Sequence, residues 1–172
     1  LPIWLYIRFA VGVMFSTTKA VYLTDGIDGI STNVKKIINT FLTVIGIIFW
    51  VKKIKKFGTI LIGACLGFLI FNLHPAKVFM GDTGSLLLGG AIASMALYLK
   101  MPLLLIIIAL VPVIETLSVI IQVKHFKKTG ERIFKMTPIH HHFELSGWHE
   151  NKIVSVFSLI TLVCCIVGLL AI

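Results

Sequence analysis

Six apolar runs, at roughly 2–17, 37–51, 59–73, 85–99, 102–123 and 153–172, decide what this 172-residue chain can fold into. A helix needs about 20 apolar residues to cross a bilayer, with a working range of about 17–25. Several runs fall short of that. The second and third are the weakest, and must either recruit flanks such as Thr32–Lys36 and Asn72 or form a re-entrant pair buried in protein. Composition points the same way: 58% of residues are hydrophobic and only 13% charged, where a soluble domain carries about 25% charged residues. Mean hydropathy is +1.01. The expected fold class is all-α, a polytopic transmembrane helical bundle of about six spans. Residues 1–172 form a single integral membrane domain, because every polar stretch is too short to fold alone.

Net charge is +9, from 16 Lys and Arg against 7 Asp and Glu. Basic loops beside anionic membrane lipid explain this better than nucleic-acid binding, and they also suit a polyanionic substrate. If all six runs cross, the loops 18–36, 74–84 and 124–152 share one side. That side carries Lys19, Lys35, Lys36, Lys77, Lys124, Lys127, Lys128, Arg132, Lys135 and Lys152. The opposite loops, 52–58 and 100–101, carry Lys52, Lys53, Lys55, Lys56 and Lys100. The majority of positive charge places the first group in the cytoplasm. Arg8 and Glu115 fall inside spans and are expected to face protein or a water-filled groove. Pro112 should kink the helix that carries Glu115, and the bent helix with its acid either shapes a lipid groove or is structural. Cys65, Cys164 and Cys165 all lie in apolar runs and read as packing residues. No signal peptide precedes the first run, and a start at Leu1 inside an apolar segment suggests further sequence upstream.

Three polar motifs sit on the expected cytoplasmic side. In Thr24-Asp25-Gly26-Ile27-Asp28-Gly29, two carboxylates lie three apart and share a side if the segment is a helical turn. Gly26 and Gly29 leave backbone amides open to a phosphate or base. The mutual repulsion of Asp25 and Asp28 would be relieved by a divalent cation or a hydrogen-bonding substrate. The bland alternative is an Asp cap with turn glycines. In the second motif, Asn72 to Ser85, Asp82 just precedes an apolar helix. It can cap that helix, or with Gly81, Thr83, Gly84 and Ser85 hold phosphate and metal together. Phe79 can stack on a nucleobase or anchor at the interface, and Lys77 can meet phosphate or lipid. The third motif is His140-His141-His142, between Pro138 and Phe143. Consecutive residues of an extended segment point to opposite faces, so a three-His zinc site is not expected. Hydrogen bonding of one or two of them to a diphosphate is the better reading. Glu144 and Trp148 read as structural neighbours.

Taken together, Thr24–Gly29, Phe71–Ser85 and Pro138–Glu150 resemble the corresponding motifs of the bacterial phospho-N-acetylmuramoyl-pentapeptide transferase family. The resemblance covers nearly the whole chain. The first two motifs are shared with the wider polyprenyl-phosphate sugar-1-phosphate transferase superfamily, and the triple histidine points to the muramoyl-pentapeptide branch. The resemblance implies a ten-span enzyme of the bacterial cytoplasmic membrane, of which this chain is the C-terminal part. Such an enzyme transfers phospho-MurNAc-pentapeptide from UDP to undecaprenyl phosphate, giving lipid I and UMP, and requires Mg²⁺. By motif position, Asp82 looks like the metal ligand, and Asp25, Gly26 and Asp28 like the nucleotide and catalytic segment. Asn72 and Phe79 resemble parts of the uridine and phosphate pocket, and His140, His141 and His142 the essential loop beside the diphosphate. Membrane lipid is an implied partner, and a homodimer is left open.

This chain departs from the family at Lys19-Ala20-Val21-Tyr22, where Asn-Ala-Val-Asn is usual, and at Ile30-Ser31-Thr32-Asn33, where small residues and a glycine are usual. The family's adjacent-aspartate motif, with its candidate general base, is not in this chain, so the chain alone is expected to be inactive. Two alternatives stand beside this reading. One is a UDP-GlcNAc:polyprenyl-phosphate GlcNAc-1-phosphate transferase. The more distant one is a non-enzymatic membrane protein or transporter.

Overall fold

The computed structural model describes residues 2–27 and 29–172. Its regular structure is helical among those residues: α1 (Ile3–Leu23), α2 (Ile30–Ile48), α3 (Lys52–Asn72), α4 (Gly81–Tyr98), α5 (Leu104–Ile108), α6 (Leu110–Thr129), α7 (Ile139–Glu144) and α8 (Glu150–Leu170). Two helices, α3 and α8, are long and apolar enough to cross a membrane, with hydropathies of 1.8 and 2.8. Both leave most of their surface outside the protein core, with Ile60, Ile70, Leu159 and Leu170 exposed.

α2 is the central helix. Ile30, Val34, Ile38, Leu42 and Ile45 recur at helical spacing and are fully buried. They pack against Ile54 of α3, Ile92 and Met95 of α4, and Ile153 and Phe157 of α8. α1 lies mainly along α4, and also touches α6.

Helix boundaries differ from expectation at three places. Residues 52–58, expected as a loop, form the first turns of α3, so Lys52, Lys53, Lys55 and Lys56 sit on a helix. Lysine is a good helix former, and its stem lies along apolar surface while the ammonium reaches water. The segment 102–123 is broken into α5 and α6 at Ala109, three residues before Pro112. Pro112 has no N–H to give the Ile108 carbonyl, so the helix ends there, and Pro112 occupies the first turn of α6, where that donor is not needed. The histidine segment, expected as an extended loop, is the short helix α7.

Small residues let the helices approach closely. A Cβ built on Gly58 of α3 would stand 1.9 Å from Thr43 Oγ1 and 3.1 Å from Met95 Cε. Thr43 is held there by its bond to the Asn39 carbonyl at 2.7 Å, and Asn39 Nδ2 donates to the Gly58 carbonyl at 3.2 Å. Overpacking this crossing outweighs the gain in helix propensity. Gly58→Ala should therefore cost a net 1–2 kcal/mol or so, read as a lowered unfolding midpoint in detergent. An unchanged or raised midpoint would show that the crossing has room.

Candidate functional site

The C-terminal ends of α1 and α3 and the N-terminal ends of α2, α4 and α8 lie at one end of the bundle, where α7 packs on α6 and α8. Thr24 is the C-cap of α1, and Gly29, at φ 76°, is the N-cap of α2. The described residues of the first motif thus lie between α1 and α2, outside both helices. Thr24 is buried and donates to the Ala20 carbonyl at 3.0 Å, which leaves Asp25 and Gly26 projecting at the surface. Asp28 lies outside the described residues.

Asp25 is tied to α4. Ser85 Oγ, fully buried, donates to Asp25 Oδ2 and accepts from Lys35 Nζ at 2.7 Å. Asp82 is the second residue of α4, exposed, with no hydrogen bond or ion pair among the described residues. Met80 is the cap, so Asp82 belongs to the first turn, where the free amides of the helix favour negative charge.

The α3–α4 connection is organised by Asn72. Its Oδ1 accepts from Thr32 Oγ1 at 2.7 Å, and its Nδ2 donates to the Val78 carbonyl at 3.0 Å. The amides of Lys77 and Val78 close back on the Phe71 carbonyl. Phe79 follows this tight loop and is 71% exposed, an aromatic face without cover.

On α7, His140 and His141 lie side by side, their ring centroids 4.2 Å apart, and His142 turns to Lys135 and Phe134. His140 is fully buried, and its Nδ1 lies 3.1 Å from Glu115 Oε1, itself fully buried in α6. The two groups are in contact without forming a hydrogen bond. The other ring nitrogen of His140 faces Gly26: a Cβ built there would stand 2.2 Å from His140 Nε2 and 3.0 Å from His141 Nε2. Glycine at 26 is therefore required by the close approach of the two motifs. His141 Nδ1 meets Glu144 Oε2 at 2.8 Å, and His142 Nδ1 accepts from the Lys135 amide at 3.1 Å. With separate partners, the three rings do not converge on one ion.

Neighbouring residues fix α7 in place. Gln122 Oε1 accepts from the amides of Ile133 and Phe134, and its Nε2 donates to the Phe134 carbonyl, all at 3.0 Å. Phe143 packs on Trp148 and edge-on to Phe157 of α8, at 4.9 and 6.1 Å between ring centroids. Glu144 and Trp148 thus serve as supports for the helix.

Spacing alone did not bring out Lys35, Glu115 and Gln122 as parts of the site. A signal for Lys35 existed: Ser31, Lys35, Asn39 and Thr43 recur every four residues in an otherwise apolar helix, and all four are buried. Arg8, by contrast, is exposed and stacks on Trp4 of its own helix at 5.4 Å.

Two exposed carboxylates, Asp25 and Asp82, supply hard oxygen donors. Such oxygens suit a hard divalent cation. Beside this polar end runs an apolar cleft of about 350 Å³ between α1 and the α5–α6 break. Phe9, Gly12, Val13, Leu105 and Val113 line it, and it reaches Ala20 and Val21, one helical turn before Asp25. Exposed carboxylates thus stand at the polar end of the bundle beside an apolar cleft.

Comparison with known proteins follows the same line. A phospho-N-acetylmuramoyl-pentapeptide-transferase of Clostridium botulinum (strain Eklund 17B / Type B) is 57% identical over 166 residues, 96% of this chain and 51% of the relative. Proteins of the same name from Clostridium kluyveri (strain NBRC 12016) and Acetivibrio thermocellus are 55% and 52% identical, over 96% and 98% of this chain and 52% and 51% of their own lengths. The chain spans about half the length of these curated relatives. Residues 1–100, which include the first two motifs, match the family description "Glycosyl transferase family 4", and by that match over more than half its length the chain belongs to this family.

Proposed function

We propose that the full-length protein transfers phospho-MurNAc-pentapeptide from UDP-MurNAc-pentapeptide to undecaprenyl phosphate, giving lipid I and UMP. The observation that carries this reading is identity above one half, across nearly the whole chain, to transferases of that name. The convergence of the three motifs at one end of the bundle supports it. The reaction is placed at the cytoplasmic face of the bacterial cell membrane. There α1, α2, α3, α4, the α5–α6 pair and α8 act as six spans, with most lysines on the motif side.

The chemistry brings two anions together. The acceptor phosphate oxygen forms a bond to the sugar-bearing phosphorus, the bond from that phosphorus to the bridging oxygen breaks, and UMP leaves with that oxygen. When bound, Mg²⁺ neutralises charge on the diphosphate. Asp82 is the proposed ligand, its exposed carboxylate already placed in the first turn of α4. His140, His141 and His142 are assigned to the diphosphate side. Among them, the rings of His140 and His141 stand beside Gly26 of the proposed nucleotide segment. Phe79 offers an uncovered ring for the uracil, and Asn72 acts by shaping the loop that presents it. The apolar cleft takes the first isoprene units of the acceptor.

The test is donor choice in the full-length protein with undecaprenyl phosphate and Mg²⁺. UDP-MurNAc-pentapeptide should give a lipid-linked product and UDP-GlcNAc should not. The reverse preference moves the assignment to the GlcNAc-1-phosphate transferases. Substrate flux across vesicles without product would favour a transporter. The 172-residue chain alone is expected to form no product.

A further inference from the structure

Lys35 has no role in the mechanism above, yet its side chain is fully buried in α2. Burying an ammonium is costly unless it is well paired. Among the described residues its one oxygen partner is Ser85 Oγ, at 2.7 Å, with the weak acceptor Met80 Sδ at 3.7 Å. An ammonium has only donors and a serine hydroxyl has a single proton. Ser85 must therefore accept from Lys35, and its proton is left for Asp25 Oδ2, to which it donates. The direction of this relay is fixed by the chemistry of its ends. Both hydrogen bonds are charge-assisted, the stronger kind.

We propose that Lys35 is a positioning residue for the transfer reaction: through Ser85 it locks the Asp25 carboxylate in one orientation at the mouth of the site. The relay joins three elements, α2, α4 and the α1–α2 connection, and reaches from a buried charge to an exposed one. Asp25 keeps its second oxygen for substrate. Without Lys35, nothing fixes Ser85 Oγ as an acceptor and the hydroxyl can turn away from Asp25, whose one side-chain hydrogen bond among the described residues it makes. This inference rests on the transferase reading for its kinetic test, and a spectroscopic test stands apart from that reading.

The experiment uses the full-length protein with Lys35→Met, Ser85→Ala, Ser85→Thr and the double variant Lys35→Met/Ser85→Ala. A misplacement of about 1 Å in a reacting group costs about 10²-fold. Lys35→Met and Ser85→Ala are each expected to lower kcat by about that factor with donor KM moved less than about three-fold, and Ser85→Thr to recover most of it. The double variant should be no worse than either single, as expected of residues that act as one unit. Retention of kcat within about two-fold in either single variant, or losses that multiply in the double, would overturn the proposal. If Lys35→Met does not fold, the contrast of Ser85→Ala with Ser85→Thr decides. Separately, in ¹³C-aspartate-labelled protein, the infrared carboxylate band that disappears in Asp25→Asn should be displaced by Lys35→Met and by Ser85→Ala. An unmoved band sinks the relay. If the wild type makes no lipid product, the transferase reading fails, and the infrared result still decides the relay.

Discussion

Asp82→Asn in the full-length protein is expected to lower Mg²⁺-dependent turnover by about 10³-fold, equivalent to roughly 4 kcal/mol of transition-state stabilisation. The expectation rests on the placement of Asp82 in the first turn of α4, exposed and without a partner among the described residues. Such a carboxylate contributes little to the fold: its interaction with the helix dipole is worth about 0.3–1 kcal/mol. Activity and stability should thus separate cleanly, with a near-normal unfolding midpoint beside an almost silent enzyme. Steady-state rates across a Mg²⁺ titration, run with the unfolding curve, check it. Turnover near that of the wild type would remove Asp82 from the metal role. Loss of activity together with loss of fold would assign it a structural one.

The second large effect is expected at Glu115. Its carboxylate and His140 are both fully buried and 3.1 Å apart, and neither side chain has a hydrogen-bond partner or another charged neighbour within contact distance among the described residues. Removing one member of such a pair leaves the other uncompensated, at a cost of about 3–5 kcal/mol. Glu115→Ala should therefore sharply reduce folded protein in the membrane, and Glu115→Gln, which keeps shape and polarity, should retain most of it. A double-mutant cycle with His140→Ala gives the coupling, expected at a few kcal/mol, since deleting both partners removes the orphaned group. Because His140 Nε2 faces Gly26, the Gln variant should still lose turnover where it alters how the ring is held. A Glu115→Ala protein as stable as the wild type would mean that the pair is not coupled.

Much of the architecture was legible because lipid-facing and core-facing helices both advertise themselves as apolar runs. The all-helical class followed from that, and α3 and α8 carry the signal most fully. The ends of helices were less legible. Charge at Lys52–Lys56 looked like a loop, although lysine favours helix and its long stem tolerates an apolar setting. Pro112 was expected to bend one helix, and instead the chain divides at Ala109, because the lost donor acts on the preceding turn. In the site, the Gly and Asp of the first two motifs and the histidines of the third suggested phosphate chemistry, residue by residue. What joins the motifs was not. The contact of Gly26 with His140, the pairing of Glu115 with His140 and the chain from Lys35 through Ser85 to Asp25 all join residues far apart in sequence. No local pattern encodes such pairings. The buried polar row Ser31, Lys35, Asn39 and Thr43 came nearest to a sign of one.

The central claim is that attack occurs at phosphorus, so that the sugar leaves with its phosphate. The identity of the nucleotide released tests this most directly. Full-length protein, undecaprenyl phosphate and Mg²⁺ would be incubated with UDP-MurNAc-pentapeptide labelled in both phosphates, and the products separated. One UMP for each lipid-linked product, with label retained in the lipid, is the predicted result. Release of UDP, with no donor-derived phosphate in the lipid product, would mean attack at the sugar carbon and would contradict it.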